Sequence, residues 1–445
     1  MGIRITISTA GDTIDLQGSG YKVLDGYYPI EAASQEQPVV EQIRLEIIAT
    51  AGQSVSAKLQ ALGRKLEHAR AHKTDADGCY ANFSADTAEN LYRSRITDGY
   101  LMLDGRLSRY WKASKVLVTL VIERAPYWEG IEAQIPLTNG NGTDNTTGLA
   151  VYNHDDAGAG HDNYVQIAAA NVEGDLPGAT RLEITNNYAT GLLYDLWIGQ
   201  TWTDPANLVH ILEGEDSSVG ADQVNAAASG GYFTRTALSS GSEAELFNWT
   251  LSAAFLNACK GRFYKLLARF HNMDNLTSVR FRLRIQYQVT TIWQSGQVSL
   301  DATRAIQIRD LFTLRLPPWL PEQTGLLAIQ MSITGQQSTG SPINVDLDFL
   351  EVCPVDGWRQ ITPVGYGVAQ NQRVIDDGIG GALYVDDGSG TGKIGILTGY
   401  GAPVMLQPGK LQRLYFLMHS ASINTAEIAR TISVKLYYRP RRQSL

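Results

Sequence analysis

The sequence predicts a mainly β fold: a β-sandwich with one helix, then a jelly-roll β-sandwich, then a C-terminal β segment. Three observations carry this. Apolar and polar residues alternate in many short runs. The clearest is Val279, Phe281, Leu283, Ile285, Tyr287 and Val289, with only Arg or Gln between them, which puts one face in a core and one in water. The 43 glycines supply turns between strands. One stretch has the helical period instead: Val55, Leu59, Leu62, Leu66 and Ala69 form a single stripe.

The chain of 445 residues is long enough for about three domains. In residues 1–130, Ile43, Leu45 and Ile47 alternate with Arg44 and Glu46, which marks a strand over Val39 to Thr50. The helix from Val55 to Ala69 follows, with Gly63 inside it at a cost of about 1 kcal/mol relative to Ala. Asp77-Gly78 reads as a turn, and strands follow at Leu91 to Ile96, Tyr100 to Leu103 and Val116 to Arg124. In residues 131–358, strands are expected at Tyr164 to Ala168, Thr180 to Thr185, Leu192 to Ile198, Phe263 to Phe270, Val279 to Val289, Ala305 to Leu316, Leu326 to Ile333 and Ile343 to Glu351. Eight strands with long connections suggest a jelly roll. In residues 359–445 they are expected at Gly381 to Val385, Lys393 to Thr398, Leu411 to Met418 and Thr431 to Tyr438.

Composition narrows the function. A formal net charge of -8 disfavours a large phosphate-gripping surface, so no sequence-specific nucleic-acid binding is expected. Cys79, Cys259 and Cys353 are far apart and odd in number. That argues against a disulfide framework or a cysteine zinc site and for a reducing compartment. The start, Met1-Gly-Ile-Arg-Ile-Thr-Ile, alternates like a strand, so no signal peptide is expected. No apolar run approaches the roughly 18 residues of a membrane span, so no membrane insertion is expected.

The motifs are weighed in turn. Gly388-Ser-Gly-Thr-Gly-Lys393-Ile-Gly imitates a phosphate loop. Its first glycine is one position too close, and Ile394 stands where Ser or Thr would hold magnesium. It reads as a glycine-rich hairpin, and no cofactor is expected. The loop from Asn153 to Asn163 holds Asp155, Asp156 and Asp162 as candidate calcium ligands, with His154 and His161 as a zinc alternative. The other reading is a polar loop that caps its own backbone. Trp197, Trp202 and Trp249 are candidate platforms for a sugar ring, and equally candidate core residues. No nucleophile elbow or zinc-protease motif occurs, so the chain is expected not to be an enzyme. The basic end Arg439-Pro-Arg-Arg442 suits an acidic neighbour better than DNA. The strand from Val116 to Arg124 is apolar on both faces. The helix can cover one, and a second sheet of the same domain or a neighbouring copy must cover the other; Val116, Val118, Leu120 and Ile122 are expected at an interface between like copies.

The strand–helix–strand order, closing on Val118-Thr-Leu-Val-Ile-Glu-Arg-Ala-Pro-Tyr-Trp-Glu-Gly130, resembles the tube-forming domain of phage tail proteins. In particular it resembles the distal tail proteins of long-tailed phages, where a strand ending in Arg-x-Pro-Tyr-Trp closes the ring-forming domain. Ile135-Pro-Leu-Thr-Asn-Gly and Gly174-Asp-Leu-Pro177 resemble the carbohydrate-module-like jelly rolls attached to such proteins. Gly401 to Gly409 and Tyr437-Tyr-Arg-Pro-Arg441 resemble the end of the same phage and prophage group. The resemblance implies a virion protein of the tail, assembled in the host cytoplasm. It would form a homo-oligomeric ring around the DNA channel, partnered by tube, tape-measure and tip or hub proteins. A peripheral jelly roll would meet a host surface glycan. The alternative is a glycan-binding adhesin, a receptor-binding tail protein whose first domain only anchors it. A glycan hydrolase on a β scaffold is a third reading.

Overall fold

The computed structural model describes residues 4–444 apart from 25–26, 28, 32–36, 75–76, 85–90, 104–111, 145, 154–160, 190, 204–209, 260, 272–278, 288–289, 300–306, 316–328, 339, 364–366, 390–391 and 421–430. The chain is mainly β, as its alternation predicts. Among the described residues α-helices occur at Val55–Ala71 and Ala253–Cys259. No helix there is long and apolar enough to cross a membrane.

The first domain contains β1 (Arg4–Thr9), β2 (Asp12–Asp15), β3 (Tyr21–Val23), β4 (Val39–Ile48), α1 (Val55–Ala71), β5 (Cys79–Ser84), β6 (Leu91–Met102), β7 (Lys115–Arg124) and β8 (Trp128–Glu129). Seven of these strands run in the order β2-β1-β5-β6-β7-β4-β3, and β8 pairs with β6. The two strands read between Leu91 and Leu103 are one strand, β6, broken in register between Ile96 and Asp98. Its first half pairs with β5 and its second with β7. Such an irregularity bends a strand, so β6 joins the two halves of the sheet around α1. The helix starts where the Ser54 side chain accepts the Ala57 N–H at 3.1 Å, satisfying one orphan donor. Its predicted stripe, Val55, Leu59, Leu62, Leu66 and Ala69, is buried against Ile43, Leu45 and Ile47 of β4 and Val118 and Leu120 of β7.

The rest of the chain corrects the expected boundaries 131–358 and 359–445. One sheet of 14 strands takes seven strands from Ala133 to Thr201 and seven from Gly357 to Tyr438. The strand Tyr164–Ile167 pairs with Gln412–Ser420, and Gly178–Asn186 pairs with Arg373–Asp377 and Thr431–Tyr438. The jelly roll is therefore built from both ends, with a single core that includes Ile184, Ile198, Val374, Phe416 and Val434. Residues 210–354 are inserted into it as a second β-sandwich of a six-stranded and a five-stranded sheet. That insertion has its own core, among it Phe270, Phe281, Leu283, Met331 and Leu347. Gly357 opens a strand of the first sandwich and does not mark the end of a domain.

The two sandwiches stack face to face. Trp197 and Leu417 of the jelly roll pack against Leu267, Ile308 and Phe349 of the insertion. Tyr415 packs against Cys353 and Val355. The strand Ile343–Pro354 is consequently buried on both faces along most of its length. Burial of this kind on both faces makes the insertion a fixed block, not a tethered arm.

Candidate functional site: an apolar sheet face and a cleft

The Arg-x-Pro-Tyr-Trp stretch closes the first domain from within. Arg124 ends β7 fully buried and pairs with the equally buried Glu41 of β4. Its guanidinium also donates to the carbonyls of Ala125 (2.9 Å) and Ile30 (2.7 Å) and lies over the Trp128 ring, 4.4 Å from its centroid. Burial pushes the Glu41 carboxyl up, against the pull of Arg124. It also pushes Arg124 down, against the pull of Glu41. The pair is a closing device of the fold.

The inward face of β7 corrects the expected interface. Val116, Val118, Leu120 and Ile122 are between 0% and 8% exposed and belong to the core beneath α1. The helix covers them, so they are closed to a neighbour. The apolar residues left in water stand on the outward face of the same sheet. Leu117 is 59% exposed, Tyr100 54%, Val40 54% and Met102 53%. The register joins them: Met102 lies opposite Thr119, Tyr100 opposite Val121, Leu117 opposite Glu46, and Val40 opposite Glu123. Leu117, Met102 and Tyr100 thus gather around Thr119, while Val40 stands at the far end of β4, and exposed apolar residues grouped in this way are candidates for an interaction site.

The predicted ligand residues separate. Asp155 and Asp156 lie outside the described residues. Asp162 is buried and accepts the backbone N–H of Gly140, which is the capping role of the polar-loop reading. Among the described residues no cluster of His, Cys, Asp and Glu could hold a metal ion. Trp197 lies in the contact between sandwiches beside His419. Trp249 is in the insertion core and donates its indole N–H to the Glu213 carbonyl at 2.8 Å. Both are therefore corrected as sugar platforms, because their faces are packed. The phosphate-loop imitation leads into the strand Lys393–Gly401, with the Asp387 N–H bonded to the Gly392 carbonyl. The basic end finds acidic neighbours within its own chain: Arg439 on Glu132 and Arg441 on Glu129.

Trp202 alone of the three tryptophans is part of an open site. It borders a cleft of about 340 Å³ at one end of the jelly roll, where the chain leaves for the insertion and returns. Ile198 and Val404 form its apolar floor, and Met405 and Pro403 stand at its side. Asp356, in the bend just before the returning strand, accepts the backbone N–H groups of Trp202 (2.7 Å) and Thr203 (2.9 Å) and the hydroxyl of Thr201 (3.0 Å). This clamp fixes the Trp202 backbone. Gln200 lines the cleft, only 4% exposed. Its amide nitrogen donates to the Met405 carbonyl (2.7 Å) and to Gln412 Oε1 (3.3 Å). Sequence reading missed Gln200, Asp356 and Met405. The one signal present was the pair of turn-like stretches Trp202-Thr-Asp and Asp356-Gly-Trp, which gives no hint that they meet.

No family model matches the chain, and no curated protein matches it in sequence. Among solved structures, a family 35 carbohydrate binding module from Clostridium thermocellum is 14% identical over 32% of this chain and 98% of its own, with a TM-score of 0.19. The baseplate of phage P2 in its activated conformation with Ca is 7% identical over 100% of both chains, with a TM-score of 0.28. An exo-beta-1,3-galactanase from Phanerochaete chrysosporium is 12% identical over 72% of this chain and 57% of its own, with a TM-score of 0.21. Likeness at these scores assigns no function to the chain.

Proposed function

We propose that this chain is a non-catalytic structural subunit of a bacteriophage tail, at the distal tail or baseplate. Its first domain joins like copies into a closed ring, and its stacked sandwiches project from that ring. The observation that supports the reading is the outward face of the β4–β7–β6 sheet. Val40, Tyr100, Met102 and Leu117 stand there in water while the opposite face is sealed by α1. A second copy is the natural occupant, because closure into a ring satisfies such faces without leaving an open end. The Arg124 to Gly130 stretch, which resembles the closing strand of distal tail proteins, points the same way. Size measurement and electron microscopy of the purified full chain test it: rings that disappear on Leu117→Asp support the reading.

A second reading has its own observation. The Trp202 cleft is open at the end of the jelly roll, as a receptor-binding tail protein would require. The two readings are compatible, since a ring subunit can carry a binding site.

A further inference from the structure

The polar groups of the Trp202 cleft are used unevenly, and that unevenness names a ligand. Both N–H bonds of the Gln200 amide are directed at Met405 O and Gln412 Oε1. The Met405 carbonyl can only accept, so it fixes which end of the amide is nitrogen. Gln200 Oε1 is left without a donor among the described residues, on a side chain that is 4% exposed. Gln200 lines the cleft, so a donor entering from outside the protein can reach this acceptor.

The space beside that oxygen is held open by Gly357. A Cβ there would stand 3.2 Å from Gln200 Oε1 and 3.9 Å from the Trp202 ring. Glycine thus leaves room for a group that touches both at once. The ring, Met405 and Pro403 offer apolar surface, and Asp356 adds an exposed carboxylate at the rim. Its net charge is not cancelled nearby. Arg359, the one basic residue of the lining, makes a two-pronged pair with Asp376 (2.9 and 2.7 Å) and donates to the Gly401 carbonyl (2.7 Å). Three of its five N–H groups are used, and its charge is matched by Asp376.

We infer that this cleft binds one neutral pyranose ring. The ring stacks its C–H face on Trp202 and donates a hydroxyl to Gln200 Oε1. A sugar meets each condition: it is a hydroxyl donor, it has an apolar face, and a cleft of about 340 Å³ accommodates one ring. A uronic acid or a phosphate-bearing polymer does not, because its charge meets Asp356 with no free cation. The inference deepens the second functional reading by naming the ligand class, and it is independent of ring assembly.

The test uses the full chain with methyl β-galactopyranoside, methyl β-glucopyranoside, N-acetylglucosamine and galacturonic acid. Saturation-transfer NMR and titration calorimetry measure binding. At least one neutral sugar is expected to bind in the millimolar range, with galacturonic acid about tenfold weaker or more. Trp202→Ala and Gln200→Leu should each weaken binding about tenfold. Gly357→Val, which keeps Trp202 and fills the space, should do the same. Tyr400→Ala, at an exposed aromatic outside the cleft, should leave binding unchanged. Thermal unfolding of each variant checks that it folds. The inference is overturned if no neutral sugar binds the wild type. It is equally overturned if folded Trp202→Ala and Gly357→Val bind as well as wild type, or if the uronic acid binds more tightly than the neutral sugars. Particle size of Trp202→Ala, measured alongside, reports on ring assembly separately.

Discussion

Arg441 Nη2 lies 2.8 Å from Glu129 Oε1, joining residues 312 positions apart. Arg441–Arg442 adds a short strand to β8, and the Arg441 carbonyl accepts the N–H groups of Asp175 (3.0 Å) and Leu176 (3.2 Å) of the jelly roll. The Arg441 guanidinium also lies over the Tyr127 ring at 4.2 Å. The stretch Arg441–Arg442 therefore ties the first domain to the jelly roll.

The strap is testable by charge reversal. Arg441→Glu places two carboxylates together in a half-buried site, and a loss of about 1–3 kcal/mol is expected. Glu129→Arg on top of it should recover part of that loss. Calorimetry of the single and double variants measures both. Additive losses with no recovery would show that the pair itself contributes nothing.

The pairing of the jelly roll makes a fragment prediction. Residues 131–358 carry the first half of its strands without the second, so that fragment should aggregate. Residues 203–355 keep a full core of their own and should unfold cooperatively. A cooperative, monomeric 131–358 fragment would contradict the strand pairing.

Much of this was written locally and some of it was not. The stripe Val55 to Ala69 and the alternation Val279 to Tyr287 were legible because one face of each meets a core. Period two reports which way a side chain points, not which strand lies beside it. The link from Tyr164–Ile167 to Gln412–Ser420 was therefore invisible. Trp197 and Trp202 are five positions apart with the same chemistry. The insertion covers one and leaves the other open, and that is decided by tertiary packing. Likewise Val116 to Ile122 and Leu117 to Val121 are both largely apolar, and only the placement of α1 tells which face is sealed. The acidic partners of the C-terminal arginines were expected in kind, but not within the same chain.

The buried pair Arg124–Glu41 should be sensitive to removal of one partner. Arg124→Met leaves the Glu41 carboxylate buried without its counter-charge, at an expected cost of about 3–5 kcal/mol. The double variant Arg124→Met with Glu41→Leu should be closer to wild type than Arg124→Met alone. Urea unfolding of the three proteins checks the order.

His271 gives a pH signature. It is buried, stacked on Phe233 at 4.8 Å, with Asn225 Nδ2 2.9 Å from its Nε2. Burial first, and then Arg269 and Arg235, push it down to about 4. The unfolded chain takes up this proton near the ordinary histidine value, about 6.5, and the folded chain does not. Stability from His271 is thus present above about 6.5 and is lost as pH falls toward 4, up to about 3 kcal/mol. Asp348, raised by burial, acts in the opposite sense, so the difference between wild type and His271→Gln is the relevant quantity. That difference should change between pH 6.5 and pH 4, and a flat difference would contradict the assignment.

Joining of like copies through the outward face of the first-domain sheet is tested most directly by paired substitutions on β7. Leu117 is exposed and Ile122 is buried on the opposite face. Mass measurement in solution and electron microscopy of the full chain should show closed rings for the wild type. Leu117→Asp should give folded single copies with an unchanged unfolding midpoint. Ile122→Asp should instead lose several kcal/mol of stability, because it buries a charge. Rings that persist in Leu117→Asp, Met102→Asp and Tyr100→Asp alike would contradict the account. So would a wild-type chain that stays single at the highest attainable concentration and meets no like copy in its native particle.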